Sequence, residues 1–294
     1  MYVIVGANGF LGAYMQKAIQ EKTDENILAL DVNISNVKNN DRISWMNCDI
    51  TNMHDMEMVN DRLKQHKDHK VIYLAAYHHP DLVEKNPRLA WHMNITALSN
   101  FMNTIDGVKC FFYPSTDSVY GNGGTERHFK ETDACNPVNR YGRQKAAAEC
   151  LVRAYGYHVV RFPFLIAPSL LPHKKHFYDQ IADTISAGAC MEMFTDSMRS
   201  SLDFATAAEL VIDLIENYRD DMPHVLNVSG DDDLSKYDVG IMIAKKLGVS
   251  TDLIVPIKTE QSEGIFEAKR AQSTLMDNSQ LKKYLNLDEI KIHL

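Results

Sequence analysis

The chain opens with four apolar residues, Tyr2-Val3-Ile4-Val5, that run straight into Gly6-Ala7-Asn8-Gly9-Phe10-Leu11-Gly12. A short continuous apolar run closed by a turn is the pattern of a strand buried on both faces. The pattern returns at Ile27–Asp31, Ile43–Ile50, Val71–Ala76, Val108–Pro114 and the run that closes on Arg161-Phe162-Pro163. Between these runs, helical spacing predicts helices over Phe10–Glu21 and Met53–Gln65, one beginning at Pro87 and an alanine-rich one opening near Asn139. Such alternation predicts an α/β fold built on a doubly wound parallel sheet. Past Pro163 the pattern loosens, leaving helices over Ala205–Asn217 and Tyr237–Leu247 and a short strand at Val225–Val228. The division that follows is a larger domain over 1–165, rejoined by about 200–230, with a smaller lobe over 166–294 interleaved with it.

The first strand and helix flank a glycine triplet, the context a dinucleotide-binding turn requires. Gly6 permits the tight turn, Gly9 lets the backbone approach a pyrophosphate, and Gly12 lets helix pack on strand. The amides of Phe10, Leu11 and Gly12 then begin the helix whose amino terminus faces the phosphates. Asp31 ends the second strand 19 residues after Gly12. A carboxylate there accepts hydrogen bonds from an adenosine ribose, and no Arg or Lys in Val32-Asn33-Ile34-Ser35 neutralises a 2′-phosphate. The expected cofactor is therefore NAD, with NADP as the alternative. Asp49 and Ile50 are expected beside the adenine, and the small residues of Leu74-Ala75-Ala76 leave room for a flat cofactor.

Candidate chemistry gathers between Ser115 and Lys145. Ser115-Thr116-Asp117-Ser118-Val119-Tyr120-Gly121 follows a buried strand, so its hydroxyls emerge at the carboxyl end, where open α/β sheets bind ligands. Tyr141 and Lys145, four apart, share one face of the next helix. In a chain with 13 tyrosines the spacing alone is of chance frequency. Its position, opening a helix just after a hydroxyl-rich strand end, is what selects it. The reading is proton transfer to or from a carbonyl or alcohol oxygen, with Tyr141 as acid or base and Lys145 tuning it. Lowering a tyrosine from about 10 to about 7 takes roughly 4 kcal/mol. An ammonium at about 4 Å supplies that only at the intermediate dielectric of a sheltered cleft. His78 and His79 follow the fourth strand within reach of a substrate. The loop Leu170–Phe177, with His173, Lys174, Lys175 and His176, is a candidate anion grip.

Composition narrows the class. The 294 residues are 45% apolar and 24% charged, ordinary for a globular protein. Five scattered cysteines without a Cys-x-x-Cys pair point to no metal site and no disulfide framework, and fit a reducing cytoplasm. No signal core and no run of roughly 18 apolar residues is present, so no membrane crossing is expected. A net charge of -8 excludes nucleic acid as the expected partner.

The segments Gly6-x-x-Gly9-x-x-Gly12, Ser115-Thr116-Asp117-x-Val119, Glu131-Thr132-Asp133-x-x-x-Pro137-x-Asn139-x-Tyr141-Gly142-x-x-Lys145 and Met276-Asp277-Asn278-Ser279-x-Leu281 resemble the extended short-chain dehydrogenase/reductase superfamily. They are most similar to its dTDP-4-dehydrorhamnose reductase branch. The resemblance implies a Rossmann domain with a small carboxyl-terminal substrate lobe, NAD or NADP, and a nucleotide sugar as substrate. It places Thr116, Tyr141 and Lys145 at the catalytic hydroxyl, tyrosine and lysine positions, with Asn94 in support. It also implies a homodimer through the helices starting near Pro87 and Asn139.

Two departures matter. Epimerases of the superfamily carry an Asn shortly after the Arg that ends the sixth strand, where this chain has Phe162-Pro163-Phe164 after Arg161. That leaves Arg270 and the His173–His176 loop as phosphate candidates. Dehydratases carry a Glu at the position of Ser118, leaving Asp117 as a substrate or proton-relay contact or a loop cap. The expected activity is an NAD(P)H-dependent reductase of a keto nucleotide sugar. The alternatives are a nucleotide-sugar epimerase and a non-catalytic dinucleotide-binding regulatory subunit.

Overall fold

The structure is a computed structural model and describes residues 1–262 and 266–294. Seven strands form the main sheet. In chain order the first five are β1 (Tyr2–Val5), β2 (Ile27–Asp31), β3 (Ile43–Asn47), β4 (His69–Tyr73) and β5 (Val108–Thr116). After the two-residue β6 (His128–Phe129) of the lobe, β7 (His158–Phe162) rejoins the sheet. Lobe strands β8 (Met191–Phe194) and β9 (Met198–Ser200) intervene before β10 (Val225–Asn227) completes it. The order is β10-β7-β5-β4-β1-β2-β3, parallel throughout. This is a Rossmann-like α/β fold.

The apolar runs form strands because both faces are covered. Every residue of β1, β4 and β7 is buried, whereas edge strand β3 is half exposed. On one face α1 (Phe10–Lys22) packs with a helix that comes much later in the chain, Phe204–Glu216, around Tyr14, Ile19, Val211 and Leu214. On the other face lie α2 (Met53–Leu63) and the helices that line the active-site side. The short α3 (Pro80–Lys85) leads into a longer helical stretch, α4 (Pro87–Trp91) and α5 (Ala97–Thr104), joined by a π-helical turn at His92–Thr96. Then comes α6 (Arg140–Ala154).

The lobe holds α7 (Phe177–Ser186), and the late helix on the first face is α8 (Phe204–Glu216). It continues with β11 (Asp233–Ser235), α9 (Lys236–Leu247), β12 (Ile254–Ile257), β13 (Ser273–Met276) and α10 (Ser279–Leu285). A four-stranded sheet runs β11-β9-β13-β6, and β12 pairs with β8. A separate core of Ile181, Met193, Val239 and Ile243 sits under α7 and α9. Because β6 comes from the first half of the chain and α8 and β10 return to the main sheet, the two parts are threaded through each other.

Candidate active site

The strand order reverses between β1 and β4, and a ligand crevice opens at the carboxyl ends flanking such a point. Gly6 turns the chain there with φ +82°, and a Cβ on it would stand 2.8 Å from the Ala75 nitrogen. The small residues after β4 are thus explained by the approach of the glycine turn. A Cβ on Gly12 would stand 2.4 Å from the Ala7 carbonyl oxygen, so helix and turn are in contact. Gly9 differs: its Cβ would meet only the Gly6 carbonyl oxygen, at 3.3 Å, and it caps α1 without a side chain. The backbone at Gly9 is thus left open, as approach of a pyrophosphate to the first amides of α1, Phe10 to Gly12, requires.

Asp31 lies at the end of β2, where one carboxylate oxygen accepts from Asn8 N–H at 2.9 Å and the other from Asn33 N–H at 3.1 Å. Asp49 is used differently: its side chain accepts from the Thr51 amide and hydroxyl at 2.8 and 2.7 Å and shapes the turn into α2. Ile50 is buried beside it. Leu74 continues the ladder, donating to Val5 at 2.7 Å, and Ala75 and Ala76 are half-buried at the groove. Asn94 lies in the π turn, an irregularity often found at functional sites. Its side chain accepts from Tyr77 N–H at 2.8 Å and donates to the Tyr77 carbonyl and to Gln144 Oε1, tying the exit of β4 to α6.

The hydroxyl-rich end of β5 meets the first turn of α6 because position 142 is glycine. A Cβ there would lie 2.5 Å from the Ser118 carbonyl oxygen and 2.7 Å from Pro137. Asn139 caps the helix, accepting from Gly142 N–H at 2.8 Å, and its amide donates to the Lys269 carbonyl in the lobe. This brings Tyr141 beside Thr116, whose hydroxyl donates to Asp117 Oδ1 at 3.0 Å.

Tyr141 and Lys145 are not coupled as their spacing predicts. The Lys145 ammonium donates to Tyr113 Oη at 2.8 Å and the Pro114 carbonyl at 2.6 Å, and lies 4.1 Å from the Tyr113 ring centroid. Burial lowers Lys145 to about 7, partly opposed by Glu149. Burial and then the Asp117 charge push the Tyr141 phenol well above its ordinary range, opposed by the neighbouring Thr116 hydroxyl. The expectation of a phenol drawn down toward neutrality is thus corrected. Strand β5 takes the ammonium's donors, and the phenol stays protonated, which is the form of an acid.

Beneath this layer lies a buried ion pair absent from the sequence reading. Arg161 donates to Glu149 through Nε and Nη2, the latter at 2.6 Å, and through Nη1 to Tyr120 Oη at 2.7 Å. Glu149 also accepts from Ser115. Arg161 therefore braces the strand end from below.

Facing the hydroxyls, the lobe supplies three cations. Arg199 pairs with Asp117 at 3.0 Å and Arg270 with Asp81 at 2.9 Å, while Lys236 forms no ion pair among the described residues. Lys236 lies over the rings of Phe164 and Phe177. Burial, and after it the nearby positive charges of Arg199 and Arg270, lower its ammonium to about 8. Arg270 was the one member named from sequence. Lys236 carried a readable signal: it is the first residue of a helix capped by Ser235 and Asp238, an unfavourable place for a cation. Across the groove, desolvation by its walls, then His79, Lys145 and Lys174, hold His78 below its ordinary range, although its ring still meets solvent. His79 lies 4.0 Å from Asp81.

A sequence profile of the RmlD substrate binding domain matches residues 1–291. The chain belongs to that family. It is 25% identical over 295 residues to methionine adenosyltransferase 2 subunit beta of Xenopus laevis, covering 96% of this chain and 81% of that protein. Its fold is similar to that of dTDP-4-dehydrorhamnose reductase from Bacillus anthracis, solved with NADP, with a TM-score of 0.79 and 21% identity over 99% of this chain and 94% of the other. The dTDP-glucose 4,6-dehydratase of Streptomyces venezuelae, solved with NAD, gives 0.78 at 14% identity over 100% and 92%. The structural neighbours of this RmlD-family chain thus hold NADP or NAD. No helix among its described residues is long and apolar enough to cross a membrane, and no cluster of metal-ligand type occurs among them.

Proposed function

We propose that the protein is an NAD(P)H-dependent oxidoreductase that reduces a keto group on a nucleotide-linked sugar. The observation that carries this reading is the meeting of the Tyr141 phenol with the Thr116 hydroxyl where the end of β5 is pressed against the first turn of α6. The dinucleotide, when bound, supplies the hydride. Tyr141 donates the proton to the oxygen that becomes the alcohol, and Thr116 orients that oxygen. Lys145 holds the end of β5, two of its donors being engaged there and the third left for the cofactor ribose, with Asn94 as a brace between β4 and α6. Phe10, Leu11 and Gly12 offer amides to the pyrophosphate, and Asp31 marks the adenosine end. The surplus charge of Lys236, beside Arg199 and Arg270, favours a substrate with a phosphate or diphosphate. His78 and Asp117 complete the cleft, Asp117 as the partner that keeps Arg199 in place.

Screening keto nucleotide sugars with NADH and NADPH, read by loss of nicotinamide absorbance, tests the reading. Turnover without net cofactor consumption would convert it to an epimerase. A second reading, a regulatory binding subunit, is favoured by the alignment of 96% of the chain with the beta subunit of methionine adenosyltransferase 2. Dinucleotide binding with no turnover on any substrate would select it. A homodimer is proposed through α4 to α6, where Leu89 and Trp91 are 49% and 50% exposed. Sedimentation of the unaltered protein as a monomer would remove it.

A further inference from the structure

In the Leu170–Phe177 loop, expected to grip an anion, the basic residues are engaged within the protein. Lys174 donates to the Asn8 carbonyl at 2.7 Å, His173 meets the Asn36 side chain at 2.9 Å, and Lys175 pairs with Asp183. The groove between α4 and α6 is different. It has a volume of about 530 Å³, within the range of ligand sites, and is walled by Pro87, Arg88 and Trp91 on α4 and by Arg140, Arg143 and Gln144 on α6. Of its three arginines only Arg140 has an ion-pair partner among the described residues, Glu84 at 2.8 Å. The chain carries 39 acidic residues against 31 lysines and arginines, so guanidiniums without a carboxylate on one groove run against its charge balance. Trp91 beside them is 50% exposed. The floor is fixed, because the buried Gln144 donates to the Pro87 carbonyl at 3.3 Å and accepts from Asn94 at 2.9 Å.

An exposed indole beside unpaired guanidiniums suits a ligand that joins a flat ring to a phosphate. The planar fork of an arginine meets phosphate oxygens two at a time, and an indole face stacks on any base. We propose that the groove between α4 and α6 is a second binding site, which takes the phosphates of a nucleoside di- or triphosphate on Arg88 and Arg143 and stacks its base on Trp91. None of these residues belongs to the glycine turn, so the site does not depend on the dinucleotide reading. A nucleic acid strand is disfavoured by the net charge of -8, and an acidic protein segment offers the charge without a base for Trp91. A second copy of the chain is the rival occupant, since the proposed homodimer uses the same helices. A twofold contact sets one patch against its own copy, which brings arginines toward arginines, and an anion held in the groove relieves that repulsion.

The test is calorimetric titration of the full chain with ATP, UTP, inorganic tripolyphosphate and adenosine, with and without NADH. Fluorescence of Trp45→Phe, which leaves Trp91 as the single tryptophan, reports on the groove directly. ATP and UTP are expected to bind alike and to quench Trp91, tripolyphosphate to bind about 10-fold more weakly for want of a base, and adenosine not to bind measurably. Arg88→Met and Arg143→Met should each weaken ATP about 10-fold or more, as the loss of one hydrogen bond between charged groups implies, and Trp91→Ala should bring ATP to the level of tripolyphosphate. ATP binding that both arginine substitutions leave unchanged, or that NADH displaces, would put the nucleotide elsewhere and overturn the site. Equal affinity of the unaltered protein for ATP and tripolyphosphate would overturn the assignment to a nucleotide. Absence of binding up to millimolar ATP would overturn the site as well, whether or not a second copy covers the groove.

Discussion

Arg199 Nε lies 3.0 Å from the Asp117 carboxylate, joining the lobe to the residue that follows the candidate catalytic Thr116. Both partners are largely shielded, with side chains 16% and 7% exposed. The guanidinium also donates to the carbonyls of Met198, Ala271 and Gln272, and Thr274 donates to the carboxylate. Removing one partner of such a pair leaves an uncompensated buried charge. Asp117→Asn is therefore expected to destabilise the protein by about 3–5 kcal/mol, measured by denaturant unfolding. A loss below about 1 kcal/mol, the value of an exposed pair, would show that the cleft is open to water at this point.

Tyr141→Phe removes only the phenolic hydroxyl. Turnover is expected to fall by roughly 10² to 10⁴, the usual contribution of a positioned acid, with dinucleotide affinity unchanged. Stopped-flow reduction and a fluorescence titration of NADPH measure the two separately. Activity within about threefold of the unaltered protein would move the acid elsewhere.

Lys145 gives a stability signature. Its ammonium titrates at about 7 in the folded protein, below the ordinary lysine value of about 10.4, so between those limits the unfolded chain holds a proton that the native state has released. Stability then rises with pH, by about 1.4 kcal/mol per pH unit, and below about 7 the charge is present in both states and the slope vanishes. Comparing the unaltered protein with Lys145→Met from pH 7 to 9 isolates this group from Lys236, which shifts in the same direction. Parallel curves would mean that Lys145 stays charged in the native state.

The contrast between Tyr141 and Lys174 shows how far the sequence could be read. Gly6 to Gly12, the buried strands and the Tyr141–Lys145 helix were legible because each depends on residues close together in the chain. The pairing of Lys145 with Tyr113 was not, since the four-residue spacing fixes a helix face and says nothing about which strand lies against it. Lys236, Arg199 and Lys174 reach the groove from the lobe, and their placement depends on how β9, β11 and the Leu170–His176 segment fold back. The fourth strand shows the same limit at small scale: the apolar run through Ala76 ends as a strand at Tyr73, and Ala75 beyond it lies against the Gly6 turn, a contact between distant parts of the chain.

Lys236→Met tests the lobe cation that forms no ion pair among the described residues. Because no ion pair is broken and a buried charge at a helix start is removed, stability is expected to hold or rise. Michaelis constants for a nucleotide-sugar substrate should rise about 10- to 100-fold, the value of one hydrogen bond to a charged group, with NADPH affinity unchanged. An unaltered Michaelis constant alongside normal folding would remove Lys236 from the substrate site.

Elimination of water from the sugar is the reaction the cleft is least equipped to perform. The fold likeness extends to a dTDP-glucose 4,6-dehydratase, so the backbone does not distinguish the two reactions and particular side chains have to. Abstraction of a carbon-bound proton needs a base of suitable pKa within hydrogen-bond reach. At the position where the superfamily's dehydratases carry a Glu, this chain has Ser118, whose hydroxyl lies 3.4 Å from Asp117 Oδ1. Asp117 cannot substitute, because Thr116 donates to the same oxygen at 3.0 Å while Arg199 and Thr274 hold the other. A carboxylate engaged in this way is fixed in place by the lobe and has no oxygen free to reach a carbon-bound proton. Incubation with NAD and dTDP-glucose or GDP-mannose, followed by mass spectrometry, is expected to show no loss of water. A 4-keto-6-deoxy product formed at a catalytic rate would mean that Asp117 leaves Arg199 during turnover, and Ser118→Glu should then accelerate the reaction rather than create it.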